Sequence, residues 1–156
     1  KILHPEIFNV KKLCKDLYLE RQLVLFCDLH GHSRKQNVFM YGCDRQNNPQ
    51  ACRVLPYMLS KLNPYFSFED SKFGIQKSKE ATARVALFKE LKSVDNVFTM
   101  ESSFAGVDMG KDKGAHLTTE MMETVGRDLC RTILIYTQIY VPPELAKLFK
   151  VKPPKL

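Results

Sequence analysis

The chain has 156 residues, 44% of them apolar, with only seven glycines and eight prolines, which fits one globular domain and excludes a disordered tail or a fibrous protein. No stretch approaches the roughly 18 consecutive apolar residues of a membrane span, and the first 20 residues lack the continuous apolar core of a signal peptide, so no membrane role is expected. The formal charge of +7 points to an acidic partner, although its sign alone does not separate nucleic acid, an anionic membrane and an acidic peptide.

In chain order, Phe8, Leu13, Cys14, Leu17 and Leu19 recur at helical spacing among lysines and predict a helix from about Ile7 to Glu20. Residues 23–29 open on the apolar run 23–26 and are short and not alternating, the pattern of a fully buried strand. A second apolar segment covers residues 37–41 and is closed by Gly42. After a polar loop over residues 44–49, a helix is expected over 51–62, ended by Asn63 because a residue before proline is pushed out of helical geometry.

The middle is less regular. Residues 72–78 suggest a loop or edge segment, and residues 82–89 (TARVALFK) a strand with Val85, Leu87 and Phe88 as its apolar members. Residues 97–100 (VFTM) give another short buried strand that delivers Glu101 at its end. A loop over 102–114 precedes a long helix over 119–136, with Met122, Val125, Leu129, Ile133 and Tyr136 on one stripe and Glu120 and Glu123 near its positive end. Helices alternating with buried strands imply an α/β layer architecture with a parallel or mixed sheet. Residues 1–140 read as the folded part and residues 141–156 as a basic, proline-containing tail.

Five cysteines (Cys14, Cys27, Cys43, Cys52 and Cys130) form an odd count without paired spacing, which favours a reducing compartment. Lysine clusters at 11–15, 77–79 and 147–155 are read first as solvated faces. With no tryptophan and no interleaving of basic and aromatic residues, nucleic acid is not the expected partner.

Two polar end points stand out, His30 after one strand and Glu101 after another. Burying an ionisable group without a partner is costly, so each needs one. A catalytic zinc takes three protein ligands and leaves a position open, and a nearby carboxylate that is not a ligand can accept the proton of the attacking water. His30 could be such a ligand and Glu101 such a base, or His30 could be a hydrogen-bonded turn residue. The glycine between His30 and His32 is expected to turn the chain and splay the two rings, leaving only one of them for a metal.

The segments CDLHGHSRKQNVFMYGC (27–43), KSKEATARV (77–85) and TMESSFAG (99–106) closely resemble the cytosolic carboxypeptidases, zinc metallopeptidases that trim glutamates from protein tails, notably polyglutamylated tubulin. The resemblance spans roughly residues 4–137 and implies the C-terminal half of a carboxypeptidase-like α/β/α sandwich with a mixed sheet. It places His30 where the family has its third zinc ligand and Glu101 where it has the general base. His32 corresponds to no ligand and reads as a neighbouring or substrate-facing group.

By the same resemblance Arg84 falls near the floor of the pocket that receives the terminal side chain, where a guanidinium would hold a glutamate carboxylate in a bidentate fork. Lys77 occupies roughly the place where digestive carboxypeptidases have a mobile tyrosine. Taken as sequence alone, Arg84 is equally an outward-facing strand charge, and Lys77 a solvated loop lysine.

The family's first two zinc ligands, a histidine and a glutamate, are absent, since HPEIFNV (4–10) has Ile7 where the second would stand. The expectation is therefore a piece of a cytosolic zinc carboxypeptidase acting on glutamylated tails such as those of tubulin, with microtubules as one place where it could act. That piece would depend on the missing N-terminal half of the same catalytic domain and be inactive alone. The alternative is a non-catalytic module that binds acidic tails through Arg84, Lys77 and the basic C-terminus.

Overall fold

The computed structural model describes residues 3–141. Among these, β1 (Leu25–His32), β2 (Val38–Tyr41) and β3 (Asn96–Ser103) form a three-stranded sheet in the order β1-β3-β2. β3 pairs with β1 in parallel and with β2 antiparallel, so the sheet is mixed. Four helices complete the fold, α1 (Pro5–Glu20), α2 (Ala51–Leu62), α3 (Ala83–Glu90) and α4 (Thr119–Tyr136), with a short 3-10 turn at Lys77–Lys79.

Alternate strand residues point to opposite faces, and the two faces collect different helices. Val38, Met40, Phe98 and Met100 project to one side and pack with Cys52, Leu55 and Leu59 of α2 and Val125 and Leu129 of α4. Phe26 and Val97 project to the other, where Val85, Leu87 and Phe88 of α3 meet Cys14 and Tyr18 of α1. The result is helices on both faces of a mixed sheet, the α/β/α arrangement expected.

Local chemistry sets the element ends. Asn63 closes α2 in extended geometry, as Pro64 behind it requires, and donates through its side chain to the buried Asp128 of α4 at 3.0 Å. Thr118 caps α4 by accepting from the Met121 amide at 3.3 Å. The predicted α4 stripe is the buried one: Val125 and Leu129 lie in the core, with Met122, Ile133 and Tyr136 packed against it.

Three expectations are corrected. Residues 82–89 are not a strand: α3 is a helix, and its buried members Arg84, Val85, Leu87 and Phe88 recur at helical spacing, whereas the adjacent apolar pair 87 and 88 breaks a two-residue alternation. Residues 23–29 do not form a fully buried strand, because β1 lies at the edge of the sheet, begins at Leu25 and is only partly covered.

The glycine between the histidines does not turn the chain either. β1 continues through Gly31 to His32, and the missing side chain instead leaves room for Phe104, whose ring lies where a Cβ at position 31 would stand. Beyond Val141, the basic tail expected from the sequence lies outside the described residues.

Candidate active site

The packing of α1 and α3 against the sheet covers Phe26 and Val97 but stops there. Further along the same face the strands carry Asp28, His30 and His32 on β1, Thr99 and Glu101 on β3, and Tyr41 on β2. These residues line a cavity of about 600 Å³, which the α3 entry closes from the side with Thr82, Ala83 and Arg84. The site therefore occupies the C-terminal end of the parallel pair, the usual ligand position in open α/β sheets.

Register brings the two residues singled out by sequence together. His30 and Glu101, 71 positions apart, are direct partners in the parallel β1/β3 ladder. Their backbones are thus about 4.8 Å apart with side chains on one face. Phe39 of β2 stands opposite Glu101 on its other side.

Within this row the contacts are specific. His30 Nδ1 lies 3.0 Å from Asp28 Oδ1, so a carboxylate two residues earlier on the same strand face engages one ring nitrogen. His32 Nδ1 lies 3.6 Å from Glu101 Oε2, in a more enclosed position than His30. The His32 ring meets Phe39 edge to face, with centroids 5.0 Å apart. Because Phe39 is fully buried, that contact fixes the imidazole next to Glu101.

Arg84 is 6% exposed. One of its terminal nitrogens, Nη1, donates to the carbonyl oxygen of Gly42 and lies 3.0 Å from the thiol of the equally buried Cys43. No carboxylate among the described residues pairs with it. A guanidinium withdrawn from water without a counter-charge is expensive, and this one opens onto a cavity.

All four residues named from the sequence can now be located. His30, Glu101 and Arg84 line the same cavity, while Lys77 sits in the exposed 3-10 turn and is not among the lining residues; Lys79 is. Sequence reasoning missed Asp28, Tyr41, Thr99 and Thr82. The alternation of Asp28, His30 and His32 was a readable signal that all three share a strand face.

The donor set suits a metal only in part. His30, with Asp28 against one ring nitrogen, has the arrangement of a histidine ligand steadied by a carboxylate. Among the described residues, however, no three His, Cys, Asp or Glu side chains converge closely enough to hold an ion. Within the described residues the row offers one histidine of that kind and no complete shell. No helix among the described residues is long and apolar enough to cross a membrane.

Comparison with known proteins gives the chain a family. Cytosolic carboxypeptidase 2 of Xenopus tropicalis is 43% identical over 136 residues, which is 85% of this chain and 14% of the relative. Cytosolic carboxypeptidase 3 of Bos taurus is 42% identical over 137 residues, again 85% of the chain and 14% of the relative. Over this stretch the chain belongs to the cytosolic carboxypeptidase family.

Cytosolic carboxypeptidase 2 of Danio rerio extends the likeness to 92% of the chain at 40% identity, covering 20% of that relative. No family model matches. The carboxypeptidase fold is also seen in solved structures. A metallo-carboxypeptidase from Pseudomonas aeruginosa, in complex with (2-guanidinoethylmercapto)succinic acid, superposes with a TM-score of 0.68 at 20% identity, covering 85% of this chain and 36% of that one. One from Burkholderia cenocepacia gives 0.61 at 14% identity, covering 80% and 33%. The chain thus spans a small part of its curated relatives and about a third of the solved folds.

Proposed function

We propose that this chain is part of the catalytic domain of a zinc-dependent cytosolic carboxypeptidase that removes glutamates from acidic protein tails, polyglutamylated tubulin among them. The observation that carries the reading is Arg84: a buried guanidinium without a carboxylate partner, opening onto the cavity that also holds His30 and Glu101. A substrate carboxylate would supply the missing counter-charge. In this reading Arg84 selects the acidic side chain, Glu101 accepts a proton from the attacking water and passes it to the leaving amine, and His32 with Phe39 behind it keeps Glu101 in place.

Bound zinc supplies Lewis-acid polarisation of the carbonyl under attack. His30 would hold it as one ligand. The other ligands would come from the remainder of the catalytic domain, so the chain alone is expected to show negligible peptidase activity. The family name of its relatives supports a cytosolic setting, and the acidic tails of microtubules are the substrate surface that its positive charge suits.

The test is Glu101→Gln in a polypeptide that unites this chain with the rest of the domain, assayed by glutamate release from a glutamate-tailed peptide. The expected result is a loss of about 10²–10⁴-fold in kcat with peptide binding retained. Undiminished function in that variant would instead identify a non-catalytic module gripping acidic tails.

A further inference from the structure

A second cavity, of about 610 Å³, lies behind one wall of the first. Arg53 of α2 lines it together with Phe68, Phe73 and Ile75. The two cavities share Lys72, Gly74 and Gln76, so residues 72–76 form a rim with a hollow on either side. One end of the rim is fixed to the free edge of β2: the Lys72 amide donates to the Met40 carbonyl at 3.0 Å, and the Gly42 amide donates to the Lys72 carbonyl at 2.8 Å. Gly74 has no side chain, and the space where one would stand is open to 4 Å, which leaves a gap in the rim between Lys72 and Gln76.

The charges along this rim are unspent. Lys72, Lys77 and Lys79 have no carboxylate partner among the described residues. Lys72 lines both cavities and Lys79 lines the first. Across the second cavity Arg53 donates to Asp44 at 3.2 Å and sits 4.8 Å from the centre of the Phe73 ring, so a cation is held in place there. Glu69 is the one carboxylate among the residues lining this hollow. With the charges of Arg53 and Asp44 balanced, three free lysines stand against one free carboxylate, and such a cluster attracts an anionic chain. The apolar surface of Phe68, Phe73 and Ile75 suits the methylenes that carry a glutamate carboxyl group.

We propose that the gap at Gly74 is a saddle for an acidic tail: with the terminal glutamate in the first cavity, the residues before it cross between Lys72 and Gln76 and place a carboxylate in the second cavity, between Lys72 and Arg53. The inference rests on the proposed acidic specificity and extends it from the last residue of the substrate to those preceding it. Its consequence is that the chain reads the length of the acidic run, holding several consecutive glutamates more tightly than one.

Two peptides separate the cavities. One ends in a single glutamate behind a neutral glycine–serine spacer, and the other ends in a run of glutamates. Each is titrated into the isotopically labelled 156-residue chain and followed through its backbone amide NMR signals. Both peptides should move amides around Arg84 and Glu101. Only the longer acidic run should also move those of Phe68, Phe73 and Ile75, and it should bind about 3–10-fold more tightly at low salt, a gain that shrinks as salt is added. Arg53→Gln and Lys72→Gln should each cut the gain about 2–5-fold. Lys12→Gln removes the same charge from the exposed side of α1 and should leave the gain in place. The same spectra report whether each variant is folded.

If the acidic run gains nothing, or gains without moving the amides of the second cavity, the saddle is wrong and the glutamate reading of the first cavity stands alone. Equal erosion of the gain by Lys12→Gln and Arg53→Gln would overturn it too, since overall charge would then be the attraction. If neither peptide moves the amides around Arg84 and Glu101, the acidic specificity itself fails and the saddle falls with it.

Discussion

The two faces of the sheet are made from the same strands, yet they end differently. On one face, Val38, Met40, Phe98 and Met100 are covered along their whole length by α2 and α4. On the other, α1 and α3 cover Phe26 and Val97 and then leave Asp28, His30, Glu101 and Tyr41 facing a cavity. The difference shows that this site is made by helices stopping short. Since alternate residues serve opposite faces, a slip of one residue in β3 would carry Glu101 into the core and Met100 into the site.

The sharpest way to break this comparison is to substitute neighbours on β3. Phe98 is fully buried on the covered face, and Phe98→Ala should cost about 3–5 kcal/mol, a large share of the ~5–15 kcal/mol that stabilises a domain. Thr99, the next residue, lies on the open side, and Thr99→Ala should change stability by less than about 0.5 kcal/mol. Urea unfolding of both variants checks it; equal losses would mean that the open face is packed after all.

Two glycines sharpen the same contrast. Gly106, in the loop after β3, holds φ +115°, and a Cβ there would run into the Ala115 carbonyl. Gly106→Ala should therefore cost about 2 kcal/mol, from left-handed strain and a clash with backbone that cannot swing aside. Gly74 lines the cavity, and a Cβ there would meet nothing within 4 Å. Gly74→Ala should be neutral or stabilise by up to about 1 kcal/mol through the unfolded chain. Thermal melts of the pair would expose any hidden packing at the cavity wall.

These residues also show what the sequence could and could not reveal. The stripe of α4 and the stop at Asn63 were legible because helical period and the restriction before proline are local properties. The helix at 83–90 was misread because its apolar residues over so short a span satisfy part of either period, and the decisive packing of Val85, Leu87 and Phe88 against Val97 is tertiary. The partnership of His30 with Glu101 rests on a register between strands separated by α2 and α3, which no local pattern encodes; it was anticipated from their places at strand ends and the needs of a zinc site, and then from family resemblance. Asp28 was within reach, since it obeys the same alternation as both histidines. That Thr82 leaves α3 without a side-chain cap was not, because a threonine at a helix start ordinarily provides one.

The smallest predicted effect concerns how α1 is attached. No residue of α1 is fully buried, so apolar packing alone holds it less firmly than α2 or α4. Much of its anchoring is ionic: Lys11 Nζ and Lys15 Nζ reach the Glu90 carboxylate of α3 at 2.9 and 3.1 Å. The hydrogen bond from Lys11 lowers the Glu90 pKa below its ordinary 4.5, and Lys15 adds to this, against partial burial that would raise it.

A carboxylate whose folded pKa is depressed contributes its stabilisation above the ordinary value and loses it as pH falls through the folded one. Glu90→Gln should accordingly cost about 1 kcal/mol near neutral pH, as expected for two partly exposed pairs, or about 2–4 °C in melting temperature. The gap should close as pH falls below 4.5, where the unaltered chain also loses the charge. A gap that persists into acid would show that Glu90 steadies α1 through something other than its charge.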